Sequence, residues 1–454
     1  MTLPAGQLPK PAWRALKGAT ASLSSNVPAA MLDDPTGLYA GAAAGVVRPQ
    51  STAEVQALIR VARAHGLTFV PRGGGTGLAA GAVPRGGEIV LDLSGIRSPL
   101  HVDPLEMTVT AGAGLTLAEV QKELAPHGLW LPLDLGSRES ATVGGMIATN
   151  AGGTKVLRHG HVRQLLLGVE AVLGSGEIIR RLEGWRKDNN GPDFSALLCG
   201  SEGTLAVVTA ASFRVAPLLA GPRVVGMLVP DWAQLMEVSL AARALPSVQS
   251  IEMVSAQALR LVRDLGTVRT PFRGQNGHLL LVEHAGDQAE RDCAALVDST
   301  ERWVTDVVVA DGRAACAALW ATRHGVGEAV RRQGRPHKLD LALPVSRLAS
   351  FLPAVQALVA RRRPSARAVL FGHVADGNVH VNITGASPHD HELLDAVVEL
   401  AVAFGGHASA EHGIGVSKAR WLPLTRPPAE LELLDGLRKL FDPTGVLNPR
   451  VFRG

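Results

Sequence analysis

The chain has 454 residues, a formal net charge of +4 and a hydrophobic content of 46%. This length is long for one hydrophobic core, so two domains are expected, and the hydrophobic content excludes a disordered protein. No apolar run reaches the roughly 18 residues that a transmembrane helix needs. The basic runs are short and the chain has one tyrosine, so nucleic-acid binding is not expected. The three cysteines are far apart, which favours a reducing compartment.

The N-terminal region carries Lys10, Arg14 and Lys17 and has no acidic residue before Asp33. This composition is typical of a mitochondrial presequence, and equally of a helical N-terminus in an arginine- and alanine-biased bacterial protein. The second interpretation is favoured. A bacterial cytoplasmic protein is therefore expected, with the mitochondrial matrix as the alternative if the source is eukaryotic.

A predicted strand, helix and strand precede the first glycine tract. Ser51 and Glu54 form a capping-box pattern at the start of a helix that should run to about His65, where Gly66 ends it. The tract at 71–81 then contains five glycines, whose backbone N–H groups can point at an anion. Because another loop and a strand follow, and no Gly-Lys-Ser/Thr is present, the tract is neither a Rossmann fingerprint nor a P-loop.

Two further glycine tracts follow a second amphipathic helix predicted over Leu117–His127. The tract at 140–153 consists mostly of small residues, which indicates that something large and flat lies against its backbone. The third tract, at 197–209, leads into another strand. A glycine-rich turn with no ligand remains the alternative for the first tract, at 71–81, taken alone.

The sequence pattern changes around 217–222. Strand-like and helical segments alternate beyond that point without glycine tracts, and a long helix is predicted over about 311–332. This alternation predicts an α+β domain built on an antiparallel sheet with helices on one side.

The segment Phe371–Ile383 carries two histidines seven residues apart. A turn signal at 376–378 and β-branched flanks predict a strand, a tight turn and a strand, because a helix would not tolerate the turn. Alternation then places His380 and Asn382 on one face of the second strand. On the first strand it places His373 on the same face as Val369 and Phe371. Together with Glu411, the two imidazoles could hold one ion with open coordination positions. Histidines without a ligand are the competing interpretation.

Six motifs stand in the order found in one flavoprotein family. They are Arg186–Asn189, Gly200–Thr204, Gly372-His373, Asn378–Asn382, Ser409–Gly413 and Leu447–Pro449. From about residue 40 the chain resembles the FAD-linked D-2-hydroxyacid dehydrogenases of the vanillyl-alcohol-oxidase superfamily, whose members oxidise D-2-hydroxyglutarate, D-lactate or glycolate. The motifs are most similar to those of members that act on D-2-hydroxyglutarate.

The resemblance implies an α+β protein with four regions. These are an N-terminal extension (1–40), a PCMH-type FAD-binding domain of two α/β subdomains (41–218), an α+β cap domain with an antiparallel sheet that carries the substrate and metal sites (219–425), and a C-terminal segment that returns to the flavin (426–454). The FAD is expected to be noncovalent, because no histidine stands where covalently flavinylated relatives carry the linkage.

The resemblance also assigns residues to the cofactor. The loop Arg72–Leu78 would cradle the pyrophosphate, the second tract would line the flavin and ribityl chain, Gly203 and Val208 would contact the adenine side, and Asn448 would lie near the isoalloxazine. The full set implied is Arg72, Gly73, Gly74, Gly75, Thr76, Gly77, Leu78, Gly136, Ser140, Gly144, Gly145, Asn150, Gly152, Gly153, Gly203, Val208 and Asn448.

For the second domain, the resemblance implies a metal site and a catalytic base. His373, His380 and Glu411 match the family's metal ligands, with Zn²⁺ the expected ion. His412 would accept the proton of the substrate hydroxyl while hydride passes to flavin N5, and Asn382 would hydrogen-bond the substrate.

Arg323 and Lys338 match the positions that hold a second substrate carboxylate in relatives accepting dicarboxylic acids. Gly327 departs from the pattern, because the hydroxyglutarate members have a hydroxyl residue there, and this weakens the case for that substrate. D-lactate or glycolate oxidation, alone or as one subunit of a complex, is the alternative within the family. A metallohydrolase using His373, His380 and Glu411, or a flavin-binding module without activity, are alternatives from other classes.

A small D-2-hydroxyacid is the expected partner, and a homodimer is compatible with the resemblance. The electron acceptor stays open between an electron-transfer flavoprotein, a quinone and a c-type cytochrome.

Overall fold

The computed structural model describes residues 8–274 and 276–453. They form two compact units. The first contains residues 8–153, 159–218 and 411–453, and the second contains residues 154–158 and 219–410 without residue 275. Within the described residues, no helix combines the length and hydropathy of a membrane span.

The α-helices, in chain order, are α1 (Lys10–Ala19), α2 (Thr52–His65), α3 (Leu117–Leu124), α4 (Val143–Thr149), α5 (Val156–His159), α6 (Val162–Leu165), α7 (Phe194–Leu198), α8 (Trp232–Arg243), α9 (Ala256–Asp264), α10 (Ala289–Thr300), α11 (Arg313–Arg332), α12 (Leu348–Arg362), α13 (His391–Ala403) and α14 (Pro428–Phe441).

The strands, in chain order, are β1 (Ala43–Val47), β2 (Phe69–Arg72), β3 (Glu88–Asp92), β4 (Leu100–Asp103), β5 (Thr108–Gly112), β6 (Leu129–Trp130), β7 (Leu166–Leu173), β8 (Ile178–Arg180), β9 (Ala206–Arg214), β10 (Ala216–Pro217), β11 (Arg223–Val229), β12 (Val248–Val254), β13 (His278–His284), β14 (Asp306–Asp311), β15 (His337–Ala342), β16 (Arg367–Gly372) and β17 (Asn378–Thr384).

The first unit is built on two main sheets. One is a parallel three-stranded sheet in the order β1-β3-β2, and the other is an antiparallel five-stranded sheet in the order β4-β5-β9-β7-β8. Each sheet has its own apolar core, so the two-subdomain organisation expected from the resemblance is confirmed.

Local signals near the N-terminus behave as predicted. Ser51 caps α2 by accepting the N–H of Glu54, and Gly66 ends that helix in the left-handed conformation. The basic N-terminal stretch forms α1, whose Ala12 and Leu16 are buried in the core of the three-stranded sheet. Burial of one face explains why the segment is helical, since a helix this short is marginal on its own.

The second unit contains one antiparallel sheet of seven strands in the order β14-β11-β13-β12-β16-β17-β15. Helices cover both faces of this sheet, so the prediction of helices on one side was wrong. α9 and α11 pack on the face that carries Val224 and Leu228. On the opposite face, Thr300 at the end of α10 contacts Met227. Strands buried on both faces lose the alternation that would reveal a second layer of helices.

Candidate active site

Three glycine tracts that are distant in sequence converge in the first unit. A Cβ on Gly74 would lie 1.7 Å from the carbonyl oxygen of Ser140, and one on Gly73 would lie 2.2 Å from Oγ1 of Thr142. The third tract joins the other end of α4, where the Glu202 N–H donates to the carbonyl of Ala148 at 2.8 Å. The first and third tracts therefore contact the second tract near opposite ends of α4, and glycine is required where the first tract makes its contact.

Some of the predicted cofactor-binding glycines are not required by contacts within the protein. A Cβ on Gly77 or Gly136 would meet no atom within 4 Å, and neither residue has a left-handed φ. By contrast, Gly75 has a φ of +65° and a Cβ there would lie 2.2 Å from Nη2 of Arg72. A loop held by some glycines and exposing the backbone of others fits a bound dinucleotide, which needs close approach to backbone N–H groups.

The side chains of two predicted cofactor residues, Arg72 and Asn448, donate hydrogen bonds to backbone carbonyls of the protein. The buried Arg72 guanidinium donates to the carbonyls of Ala30 at 2.6 Å and Ala82 at 3.3 Å, so it braces the loop. The Asn448 amide donates to the carbonyls of Gly81 and Glu202 at 2.9 and 2.8 Å.

Two further members of the predicted set belong to the packed interior of the first unit. The Asn150 side-chain oxygen accepts the N–H of Arg163 at 3.0 Å, and Val208 lies in the core of the five-stranded sheet. Their roles toward the cofactor stay predictions, as do those of the remaining members: Thr76, Leu78, Gly144, Gly145, Gly152, Gly153 and Gly203.

The loop that carries Glu411 and His412 is anchored to the third glycine tract. Its Ile414 and Gly415 N–H groups donate to the two carboxylate oxygens of Glu202, at 2.7 and 2.9 Å. Glu202 is buried, and burial raises the pKa of its carboxyl to about 7. Glu411 itself lies against the second tract, since a Cβ on Gly152 would sit 3.1 Å from its Oε1.

In the second unit, strand register gathers the predicted site residues on one sheet face. β16 and β17 form the predicted strand–turn–strand, with Phe371 opposite His380. Asn382 lies opposite Val369 on one side and Lys338 on the other. Directly opposed residues of antiparallel strands project to the same face. His380 and Asn382 therefore share a face as predicted, and Lys338 lies on that face too.

The two imidazoles are neighbours. The ring centroids of His373 and His380 lie 5.4 Å apart with an interplanar angle of 81°. Nδ1 of His373 hydrogen-bonds Glu252, and Nδ1 of His380 lies 3.4 Å from Asp340. A carboxylate on Nδ1 orients the ring so that Nε2 binds a cation, which is the usual arrangement around metal-ligating histidines. The donor set therefore fits a divalent metal ion.

Arg323 reaches the same cluster from α11. Its Nε donates to the second oxygen of Glu252 at 2.8 Å, and its guanidinium carbon lies 4.6 Å from the centre of the Phe371 ring. Burial raises the pKa of Glu252, but the charges of His373 and Arg323 outweigh burial and leave it below its ordinary value.

Sequence reasoning missed two of the acids in this cluster. Asp340 lies two residues after Lys338, and Glu252 lies in the alternating segments beyond residue 222, but neither was given a role. One signal was available for Glu252, because a single charged residue within an apolar strand must find a partner when it is buried. Nothing in the spacing indicates that its partner is His373, which is 121 residues further along the chain.

The chain continues from the second unit directly into Glu411. Ser409 forms a parallel β-bridge with Asp340, and the Ala410 N–H donates to the Asp340 carbonyl at 3.3 Å. Glu411 and His412 are the next two residues in sequence. Their predicted roles with His373 and His380 are taken up below as proposals.

Comparisons with known proteins agree with this architecture. Residues 43–181 match the model of an FAD binding domain, and residues 221–451 match that of the C-terminal domain of FAD linked oxidases. The chain superposes on a solved alkyldihydroxyacetonephosphate synthase with a TM-score of 0.77 at 17% identity, over 99% of this chain and 86% of that one. The fold and both family models define an FAD-linked oxidoreductase.

Similarity to curated proteins shows which family of FAD-linked oxidoreductases the chain belongs to. The chain is 36% identical to a D-2-hydroxyglutarate dehydrogenase of Xanthomonas citri pv. viticola, over 89% of this chain and 88% of the relative. It is 34% identical to the mitochondrial D-2-hydroxyglutarate dehydrogenase of Bos taurus, over 94% of this chain and 82% of the relative. The chain belongs to the D-2-hydroxyglutarate dehydrogenase family of FAD-linked oxidases.

Proposed function

We propose that this protein oxidises a D-2-hydroxyacid to the 2-oxoacid with noncovalent FAD, and that its substrate is a dicarboxylate of the D-2-hydroxyglutarate type. The observation that carries the proposal is the site-bearing face of the sheet in the second unit, where two neighbouring imidazoles each have a carboxylate next to Nδ1 and where Lys338 also lies. The names of the curated relatives support the same substrate class.

Arg323 and Lys338 are the cations proposed to bind a second substrate carboxylate. Arg323 uses only its Nε in hydrogen bonds with the described residues, so both Nη atoms remain to bind a carboxylate in the fork geometry. Lys338 lies on the same face as Asn382. A dicarboxylate is favoured because its distal carboxylate can bind these two cations, whereas a monocarboxylic substrate has no such group.

His373, His380 and Glu411 are the residues proposed to hold a divalent cation, with Zn²⁺ favoured. Two imidazoles and one carboxylate suit Zn²⁺ and leave coordination positions for the substrate hydroxyl and C1 carboxylate. When bound, the cation supplies a Lewis acid that lowers the pKa of the hydroxyl, and FAD supplies the acceptor for the C2 hydride.

The protein's own residues carry the remaining roles. His412 accepts the proton of the C2 hydroxyl as general base, and the Glu202 carboxylate fixes the backbone that follows it. Asn382 donates a hydrogen bond to the substrate, while Arg323 and Lys338 bind the distal carboxylate.

Two substitutions test these roles separately. His412→Ala should abolish anaerobic flavin reduction by substrate while FAD and metal stay bound, because only proton transfer is lost. His380→Ala should lose metal, measured by elemental analysis, and retain FAD. A His412→Ala enzyme that bleaches at the wild-type rate, or a His380→Ala enzyme with full metal content, would contradict the assignments.

A further inference from the structure

We propose that Glu252 is a positioning residue that joins the metal ligand His373 to the carboxylate-binding Arg323, so that both sites depend on one buried acid. This inference rests on the proposed function, since it uses the metal and substrate roles given to these two residues.

The carboxylate of Glu252 is fully used. Oε1 hydrogen-bonds Nδ1 of His373, and Oε2 accepts the N–H of Arg323 Nε at 2.8 Å. Glu252 is completely buried in β12, which pairs with β16 through Met253 and Gly372. Continuing that register by one residue brings Glu252 opposite His373, so the sheet itself fixes this contact.

Each bond orients a group that is proposed to act on a ligand. The carboxylate holds His373 in the tautomer with a proton on Nδ1, which makes Nε2 the metal-binding nitrogen and raises its basicity. The bond to Nε and the packing on Phe371 fix the plane of the Arg323 guanidinium. A fork held in this way loses little rotamer entropy when a carboxylate binds it.

An amide cannot replace this carboxylate. His373 Nδ1–H and Arg323 Nε–H are both donors, and each needs an acceptor because His373 is buried and the Arg323 side chain is only 12% exposed. Glutamine at position 252 offers one acceptor oxygen, and its NH₂ group would face the other donor. Whichever way the amide turns, one of the two positioned groups loses its partner.

The test compares Glu252→Gln with Ser250→Ala, both in FAD-loaded protein. Ser250 is a matched control because it is buried on the same strand and face, and its hydroxyl has no hydrogen-bond partner among the described residues. Zn²⁺ affinity is measured by chelator competition without substrate. Binding of glutarate and of butyrate is followed by the perturbation of the flavin absorbance.

Glu252→Gln should weaken Zn²⁺ binding by about 10- to 100-fold. Its affinity for glutarate should fall by about 10-fold, with a clearly smaller change for butyrate, because butyrate has no second carboxylate for Arg323. Ser250→Ala should keep both affinities within about twofold of wild type. A purely structural role for Glu252 would not separate glutarate from butyrate.

Should Glu252→Gln fail to fold, Glu252→Asp provides the same information. It keeps the buried charge but is one methylene shorter, so it cannot contact both partners and should weaken Zn²⁺ and glutarate binding to a smaller degree. If these variants bind Zn²⁺ and glutarate as wild type does while His373→Ala loses Zn²⁺, the role of Glu252 is overturned and the proposed metal site stands. If wild type and His373→Ala bind Zn²⁺ equally or not at all, the proposed metal site fails and the inference falls with it.

Discussion

Glu202 is buried, and it also holds the loop that follows His412. Its two oxygens accept backbone N–H groups of that loop, and burial raises its pKa from 4.5 to about 7. Desolvation is the largest influence and outweighs the hydrogen bonds and the charge of Lys418. The acid therefore keeps its proton in the folded protein at pH values where an unfolded chain has lost it.

This raised pKa predicts a pH-dependent contribution to stability. Below about pH 4.5 both states bind the proton, and between about pH 4.5 and pH 7 only the folded state does, so stability falls by up to ~3 kcal/mol as pH rises. Glu202→Gln cannot ionise. The free energy of unfolding of wild type minus that of Glu202→Gln, from denaturant titrations of the FAD-loaded proteins, should decrease from about pH 5 to about pH 8. A difference that is constant with pH would contradict the assignment.

At the scale of single elements, the loop Arg72–Leu78 depends on its glycines for a reason the sequence did not reveal. If this loop cradles the pyrophosphate, as the resemblance implies, a side chain at Gly75 would occupy the phosphate position. The left-handed φ of +65° and the closeness of the Arg72 guanidinium are a sufficient reason for glycine without any ligand. A Cβ at this position would displace the arginine that braces the loop.

Gly75→Ala should therefore reduce both stability and FAD content, with a loss of about 1–3 kcal/mol in the free energy of unfolding. Gly436→Ala is the matched control in the same unit, because Gly436 lies in α14 where a Cβ meets no atom within 4 Å. That substitution should be neutral or slightly stabilising. Flavin absorbance after purification provides the measurement. Full flavin content in Gly75→Ala would contradict the role of the left-handed turn.

The hairpin of β16 and β17, which carries His380 and Asn382, shows how much of the site the local sequence pattern can predict. The turn signal at 376–378 and the period-two alternation were sufficient to place His380 and Asn382 on one face, and register confirms it. The partners on β12 and β15 could not be predicted, because strand order in a sheet depends on packing between segments distant in sequence. For the same reason the second layer of helices was missed.

At the scale of the whole molecule, the first unit is assembled from three separate stretches of chain. Its last stretch, 411–453, is tied to the N-terminal sheet, where the Phe69 N–H donates to the Val446 carbonyl at 2.7 Å. The buried Arg438 donates to three backbone carbonyls of the C-terminal turn, those of Leu447, Asn448 and Val451. The resemblance predicted that the C-terminal segment returns to the flavin. No sequence signal, however, indicated that Arg438 would hold that segment in place.

Arg438→Met should therefore lower the free energy of unfolding by about 2–4 kcal/mol and reduce FAD content, because three buried carbonyls lose a charged donor. Arg453→Met is the control, since its ion pair with Asp435 is exposed on both sides and should contribute little. Thermal and denaturant unfolding of the two purified variants measures their stability, and flavin absorbance measures their FAD content. Equal stability of the two variants would contradict the role given to Arg438.

The central claim is that this protein transfers hydride from the C2 carbon of a D-2-hydroxyacid to FAD. The most direct measurement is the flavin absorbance of the purified protein, recorded anaerobically after adding D-2-hydroxyglutarate or its L enantiomer. Bleaching of the flavin bands with the D enantiomer alone is the predicted result. Flavin that stays oxidised with D-2-hydroxyglutarate and with every other D-2-hydroxyacid offered, or that bleaches equally with the L enantiomer, would contradict the account.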